Sequence, residues 1–138
     1  MTRWMGLDLG SVTCGVSESE TGFIAGTVET IRFKPDDYNA ALDKVLALIE
    51  KKKPDKIVLG YPKLLNGDVG ERGQICEQFA EYLSEESGLE VILWDERFTT
   101  KVAEEILIEA DMSRKKRKKK IDQLAAVQIL QSYLDANR

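Results

Sequence analysis

Three short, partly alternating apolar stretches punctuated by glycine open the chain, at 3–9, 13–19 and 23–33. Their tight connections predict an antiparallel meander of three strands. The hydrophobic period then lengthens. Leu42, Val45, Leu46 and Ile49 recur at i, i+3, i+4 and i+7, which predicts an amphipathic helix over 38–52, with Asp36 or Asp37 as its cap and Pro54 as its stop. Ile57, Val58 and Leu59 predict a short, fully buried strand, followed by a loop over 60–70 that contains Pro62, Asn66 and Gly67. A second helix is expected over about 71–87, with Ile75, Phe79, Tyr82 and Leu83 on one face and Gly88 beyond its end. Val91, Ile92 and Leu93 form another buried apolar run. Thr99 or Thr100 can cap a third helix that turns Val102, Ile106 and Ala110 inward, and Ile121, Leu124, Ala125, Ile129 and Leu134 define a last helix.

Three antiparallel strands followed by two helix-strand crossover units give an α/β fold. It is a mixed five-stranded sheet, three strands antiparallel and then two parallel, flanked by helices. The order resembles the RNase H-like fold. At 138 residues, 43% of them hydrophobic, the chain predicts one globular domain spanning 1–138. The first residues lead directly into a strand pattern, and no apolar run approaches membrane-spanning length, so a cytoplasmic protein with no membrane partner is expected. Cys14 and Cys76 lie far apart among apolar neighbours and are expected to be buried thiols.

The chain has no histidine, which excludes Ser-His and Cys-His nucleophilic systems, imidazole bases and histidine-ligated zinc. Oxygen-ligand chemistry remains. A net charge of −4 averages two unlike regions: setting aside the seven basic residues at 114–120 leaves 13 basic against 24 acidic, a net of −11. Affinity for phosphate would therefore depend heavily on one tract.

Three separated segments carry candidate carboxylates. Asp8 ends the first strand between Gly6 and Gly10, where a ligand can approach closely; the alternative is a turn aspartate bonded to nearby backbone. Glu96 follows the last strand at its carboxyl end, where open α/β sheets build their sites. Asp95 beside it faces the other way, so Glu96 is favoured as ligand with Asp95 behind it, against an Asp95/Glu96/Arg97 surface ion network. Asp122 reads as the opening of the C-terminal helix, as ligand or as simple cap. Carboxylates brought within about 4 Å repel by roughly 4 kcal/mol at an effective dielectric of 20, so a fold that clusters them needs a cation or raised pKa values. Two Mg²⁺ ions would satisfy such a cluster and support phosphodiester hydrolysis.

The tract Arg114, Lys115, Lys116, Arg117, Lys118, Lys119 and Lys120 leads straight to Asp122, a fitting place for a nucleic-acid backbone; elsewhere such a run is usually a solvated loop. Lys63, Asn66 and Arg72 in and after the 60–70 loop, and Arg97, are further candidate contacts, with Tyr61 able to stack on an unpaired base.

These segments together resemble one family. Gly6-Leu7-Asp8-Leu9-Gly10-Ser11 with Gly15-Val16, Ile57-Val58-Leu59-Gly60-Tyr61-Pro62 with Asn66-Gly67 and Gly70-x-Arg72, Leu93 through Thr100, and the lysine run into Ile121-Asp122 with Ala125-Ala126 are similar to the RuvX (YqgF) family of Holliday-junction-resolvase-like nucleases, from about residue 3 to 136. The resemblance implies an RNase H-like, Mg²⁺- or Mn²⁺-dependent nuclease with Asp8, Glu96 and Asp122 as catalytic and metal-binding residues. It also implies a role in maturing the 5′ end of pre-16S ribosomal RNA, hence structured RNA or branched DNA, and the pre-ribosomal particle, as partners. Val12, Glu20 and Glu71 depart from the family's usual residues and bear on substrate docking. A monomer or weak homodimer is expected; symmetric cutting of a junction would need the dimer. Two other classes fit parts of the pattern. Asp8-Leu9-Gly10-Ser11 with Gly15-Val16 also resembles the first phosphate loop of actin-like ATPases and sugar kinases, and a non-catalytic RNA-binding or ribosome-assembly protein could keep the same fold.

Overall fold

The computed structural model describes residues 1–98 and 114–138, and for 114–123 the helical backbone alone. Its elements run β1 (Trp4–Leu9), β2 (Thr13–Ser19), β3 (Gly26–Arg32), α1 (Tyr38–Lys52), β4 (Lys56–Tyr61), α2 (Glu71–Ser87), β5 (Glu90–Asp95), a 3-10 turn (Glu96–Phe98) and a long helix, α3 (Arg114–Ala136). The expected third helix near 102–110 lies outside the described residues. The five strands form one sheet in the order β3-β2-β1-β4-β5, in which β1/β2 and β2/β3 are antiparallel and β1/β4 and β4/β5 parallel. This is the mixed α/β sheet expected of an RNase H-like domain.

Strand alternation divides the core in two. Met5, Leu7, Leu9, Ile57 and Leu59 point to one face, where Ala41, Val45, Leu48 and Ile49 of α1 and Cys76, Phe79, Ala80 and Leu83 of α2 cover them. Both cysteines are buried free thiols in or against this layer. The helices begin and end on local signals: Asp37 caps α1 by accepting from the Ala40 N–H at 3.1 Å, and Gly88 ends α2 at φ 73°. Tyr82, expected inward, is 48% exposed, because the helix turns Cys76, Ala80 and Leu83 to the sheet instead.

The opposite face belongs to α3, with Val58, Ile129, Leu130 and Leu134 buried and Trp4, Trp94 and Tyr133 packed around them. Of the two small residues expected to let this helix approach the sheet, Ala125 and Ala126, it is Ala126 that is fully buried against it, together with Leu130, while Ala125 is half-buried. The Ser17 hydroxyl donates to the Ala126 carbonyl at 2.7 Å, and Ser17 lies opposite Gly6 in the β1/β2 register. Helix α3 also begins earlier than expected. Residues 114–121 are already helical, so Asp122 is the ninth residue of the helix and not its cap, and the basic tract is helix rather than loop. Lysine and arginine are good helix formers and no glycine or proline interrupts 114–136, so a run of like charge need not break the helix. Strand β5 is half-buried rather than buried, in keeping with its place at the sheet edge. Strand β3 starts only at Gly26, and Phe23 and Ile24 stay exposed, since Gln131 holds this turn by accepting from the Ala25 N–H at 2.9 Å and donating to the Phe23 carbonyl at 2.8 Å.

A β-carbon at Gly6 would collide with Ser17 Oγ and come within 2.8 Å of Leu130 Cβ. Gly6→Ala is therefore expected to lose about 1–3 kcal/mol of stability in urea denaturation, whereas an unchanged midpoint would show that α3 does not depend on this close approach.

Candidate active site

The parallel strands β1, β4 and β5 finish along one edge of the sheet. Asp8 shares the α3 side of β1 with Gly6 and lies half-buried opposite Gly15 of β2. Between it and the end of β5 runs β4, whose residue here is Gly60. A β-carbon at Gly60 would stand 2.5 Å from Glu96 Oε1 and 2.6 Å from the Ile129 side chain. The missing side chain is what lets the Glu96 carboxylate lie across β4 toward Asp8, under α3. Glycine inside a strand often marks such a close approach; the sequence displays Gly60, but its neighbours read as the start of a loop.

The two acids sense one another. Burial first, and then the charge of Asp8, push the Glu96 carboxyl up to about 7, with Asp95 adding to the rise and the Arg72 guanidinium opposing it. Asp95 behaves differently. Arg97 donates to it from its backbone N–H at 2.9 Å and through Nε and Nη2 at 2.9 and 2.7 Å, and this bidentate pair holds Asp95 below the usual carboxylate range. One neighbour is thus ion-paired with arginine and the other set against a second acid. Beneath the site, burial pushes the Cys76 thiol up to about 12 and raises Cys14 as well, leaving both inert.

The remaining candidates scatter more widely. Arg72 donates to the Leu9 carbonyl at 2.8 Å and to the Tyr38 hydroxyl at 2.7 Å. Asn66 shapes its own turn, accepting from the Asp68 N–H at 2.9 Å and donating to the Asp68 carboxylate at 3.1 Å. Lys63 Nζ lies 5.4 Å from the centre of the Tyr61 ring, whose hydroxyl donates to Glu77 at 2.9 Å. The seven basic residues of 114–120 occupy the first two turns of α3, and residue 122 follows in the third. Among the described residues no three acidic or thiol groups gather as a metal site, and Asp8 and Glu96 are linked by the effect of one charge on the other. Sequence reasoning did not single out Gly60 or Tyr38, whose roles depend on distant partners.

A mixed sheet in this strand order, with acidic residues at the carboxyl ends of its parallel strands, defines an RNase H-like α/β domain. Over 99% of this chain and 97% of the other, it superposes on Thermus thermophilus RuvC in complex with a Holliday junction substrate, with a TM-score of 0.64 and 13% identity. Fowlpox virus resolvase, solved with Holliday junction DNA, follows at a TM-score of 0.53 and 10% identity, over 99% of both chains. The chain belongs to the RuvX family, described as Holliday junction resolvase, whose model matches residues 2–136. Relatives named "Putative pre-16S rRNA nuclease" are 49% identical in Bacillus mycoides and 50% identical in Bacillus cytotoxicus, each over 97% of this chain and 98% of its own length. A ROK hexokinase from Thermus thermophilus shares the fold over 75% of this chain but only 38% of its own length, at a TM-score of 0.51 and 16% identity. Among the described residues no helix is long and apolar enough to cross a membrane.

The raised Glu96 pKa fixes a direction for stability. The folded protein holds this proton more tightly than the unfolded chain, so the contribution is complete below about 4.5 and is lost as pH rises through about 7. In chelator, the stability of the parent should fall across that window relative to Glu96→Gln, by at most about 3 kcal/mol. Parallel urea-denaturation profiles for the two proteins would contradict the buried, coupled pair.

Proposed function

We propose that this protein is a divalent-metal-dependent nuclease that hydrolyses phosphodiester bonds in structured RNA, acting in maturation of the 5′ end of pre-16S ribosomal RNA. The observation that carries the reading is the Asp8/Glu96 pair at the carboxyl ends of the parallel strands, where burial and then the charge of Asp8 drive Glu96 up to about 7. Such a pair is costly unless a cation or a proton occupies it. Its donors are hard oxygens and the chain has no histidine, which suits Mg²⁺ or Mn²⁺. Asp8 and Glu96 would hold the cation, and we assign Asp122 as the third ligand. Position 122 lies one helical turn before Ala126, and α3 runs from Ala126 beside Gly6 to Tyr133 beside Trp4, so the turn before Ala126 lies toward the Asp8 end of β1. When bound, the metal supplies Lewis-acid activation of water and neutralises charge at phosphorus.

The chain's own groups do the rest. Glu96 would have to give up its proton to serve as a ligand, so cation binding and ionisation would be coupled at its carboxyl oxygens. The basic residues 114–120, on the two turns before residue 122, draw the phosphate backbone to the acidic edge against the repulsion of an otherwise acidic protein. Lys63 in the 60–70 loop and Arg97 in the 3-10 turn after β5 would add further phosphate contacts. RNA is favoured over branched DNA because the relatives near half identity carry the ribosomal RNA name, whereas the junction-bound proteins share the fold at 13% identity or less. A sugar-kinase-like phosphotransferase is disfavoured: the hexokinase matches over little more than a third of its length, and this chain has a single loop of that kind.

Asp8→Asn should abolish Mg²⁺- or Mn²⁺-dependent cleavage of a transcript carrying the 16S 5′ leader while its circular dichroism spectrum stays that of the parent. Activity retained in that variant would remove Asp8 from the chemistry, and no cleavage by the parent would favour a non-catalytic RNA-binding role. Replacing Lys115, Lys116, Lys118 and Lys119 by Gln should weaken RNA binding and flatten its log–log salt dependence by roughly one unit for each phosphate that is no longer neutralised. An unchanged slope would mean that the tract does not touch the backbone.

A further inference from the structure

The turn between β1 and β2, residues 10–12, closes the strand that presents Asp8, and it is braced from outside by side chains of α1 and α2. The parallel ladder of β1 with β4 ends at the Leu7/Leu59 pair, and Leu9 lies beyond it. There the Leu9 carbonyl accepts from Arg72 Nη2 at 2.8 Å. Arg72 Nη1 donates to the Tyr38 hydroxyl at 2.7 Å, with the guanidinium carbon 6.0 Å from the Tyr38 ring centre. The Tyr38 hydroxyl donates in turn to Asp36 Oδ1 at 3.2 Å. The Asp36 N–H donates to the Ser11 carbonyl at 2.8 Å and the Phe33 N–H to the Val12 carbonyl at 3.0 Å, while the Gly10 N–H closes the turn on Thr13 at 2.7 Å. Asp36 sits at φ 59°, a left-handed conformation that residues with a β-carbon rarely adopt. Such strain persists where surrounding contacts over-determine the backbone. The chain Leu9–Arg72–Tyr38–Asp36–Ser11 supplies those contacts and closes a ring around the turn.

We propose that Arg72 is a positioning residue: its guanidinium, braced by Tyr38, fixes the Leu9 carbonyl and so the strand end that presents Asp8, and it does not serve as a phosphate contact. The inference rests on the nuclease reading only for what the positioned carboxylate is used for. A guanidinium suits the task because its rigid fork reaches two acceptors in one plane. A lysine keeps the charge and loses the fork.

The test compares Arg72→Lys, Arg72→Met and Tyr38→Phe with the parent by amide hydrogen exchange, by kcat and KM on the leader transcript, and by the salt dependence of RNA binding. In Arg72→Lys and Tyr38→Phe the Gly10, Phe33 and Asp36 amides should exchange about tenfold faster, while the Leu7 and Val58 amides keep the parent's protection. Arg72→Lys should lower kcat about tenfold by misplacing Asp8, and Tyr38→Phe several-fold, with KM, affinity and salt slope unchanged in both. Parent-like exchange in both variants, or faster exchange with parental kcat, overturns the proposal. It is overturned equally if Arg72→Met weakens RNA binding and flattens the salt slope by about one unit with kcat intact, the signature of a side chain that neutralises a phosphate. Should Arg72→Lys fail to fold, Tyr38→Phe decides, since it removes a single oxygen. A parent that binds RNA without cleaving it defeats the nuclease reading instead, and the exchange data still decide whether Arg72 and Tyr38 hold the turn.

Discussion

Helix α3 can lie where it does only because Gly6, on the central strand, presents no side chain to it. Ser17 of the neighbouring strand fills the space beside Gly6 and commits its hydroxyl to the Ala126 carbonyl, so the helix backbone itself is bonded to the sheet. From that approach the rest follows. Ile129 is brought down onto Gly60, the Glu96 carboxylate is enclosed between Gly60 and the helix, and Tyr133 packs its ring against Trp4 and Trp94 at 5.3 and 5.4 Å. The burial that drives Glu96 up to about 7 is a consequence of helix packing, although the residues that set that packing carry no charge.

The same sheet separates stability from chemistry. Its α1/α2 face is a continuous apolar layer in which both cysteines are buried, whereas the α3 face is pinched by glycine and serine near the site. Asp95 and Glu96 are consecutive, yet the first is neutralised by Arg97 and the second is set against Asp8. The basic residues 114–120 occupy the first two turns of the helix whose later residue, Ile129, covers Gly60 and Glu96.

What the sequence makes legible is what is locally encoded. Helices α1 and α2 occupy the expected 38–52 and 71–87, because apolar spacing, the Asp37 cap and the Gly88 stop agree within a few residues of one another. Strand order follows from element order and the handedness of crossovers, and the acidic residues at 8 and 96 stand out as strand ends. The rest depends on partners far along the chain. Whether Ala125 or Ala126 meets the sheet is a rotation of the helix by one residue, decided by Ser17 and Gly6 more than a hundred positions away. The basic tract resembles a solvated loop in composition, yet its residues are competent helix formers and nothing interrupts them. Arg72 reads as a phosphate contact in the sequence, and its two acceptors, the Leu9 carbonyl and the Tyr38 hydroxyl, come from segments far along the chain.

In the nuclease we propose, residue 122, from the third turn of α3, completes a cation site with Asp8 and Glu96. The most direct measurement is the thermal shift that Mn²⁺ gives Asp122→Asn. Residue 122 lies in the third turn of the helix and not at its start, so the variant should melt within a few degrees of the parent in chelator. A neutral oxygen binds a hard dication far less well than a carboxylate, so the Mn²⁺-induced rise in melting temperature seen for the parent should be largely lost. If Asp122→Asn keeps the full shift, residue 122 is not a ligand, and the site must be built from Asp8 and Glu96 with another partner.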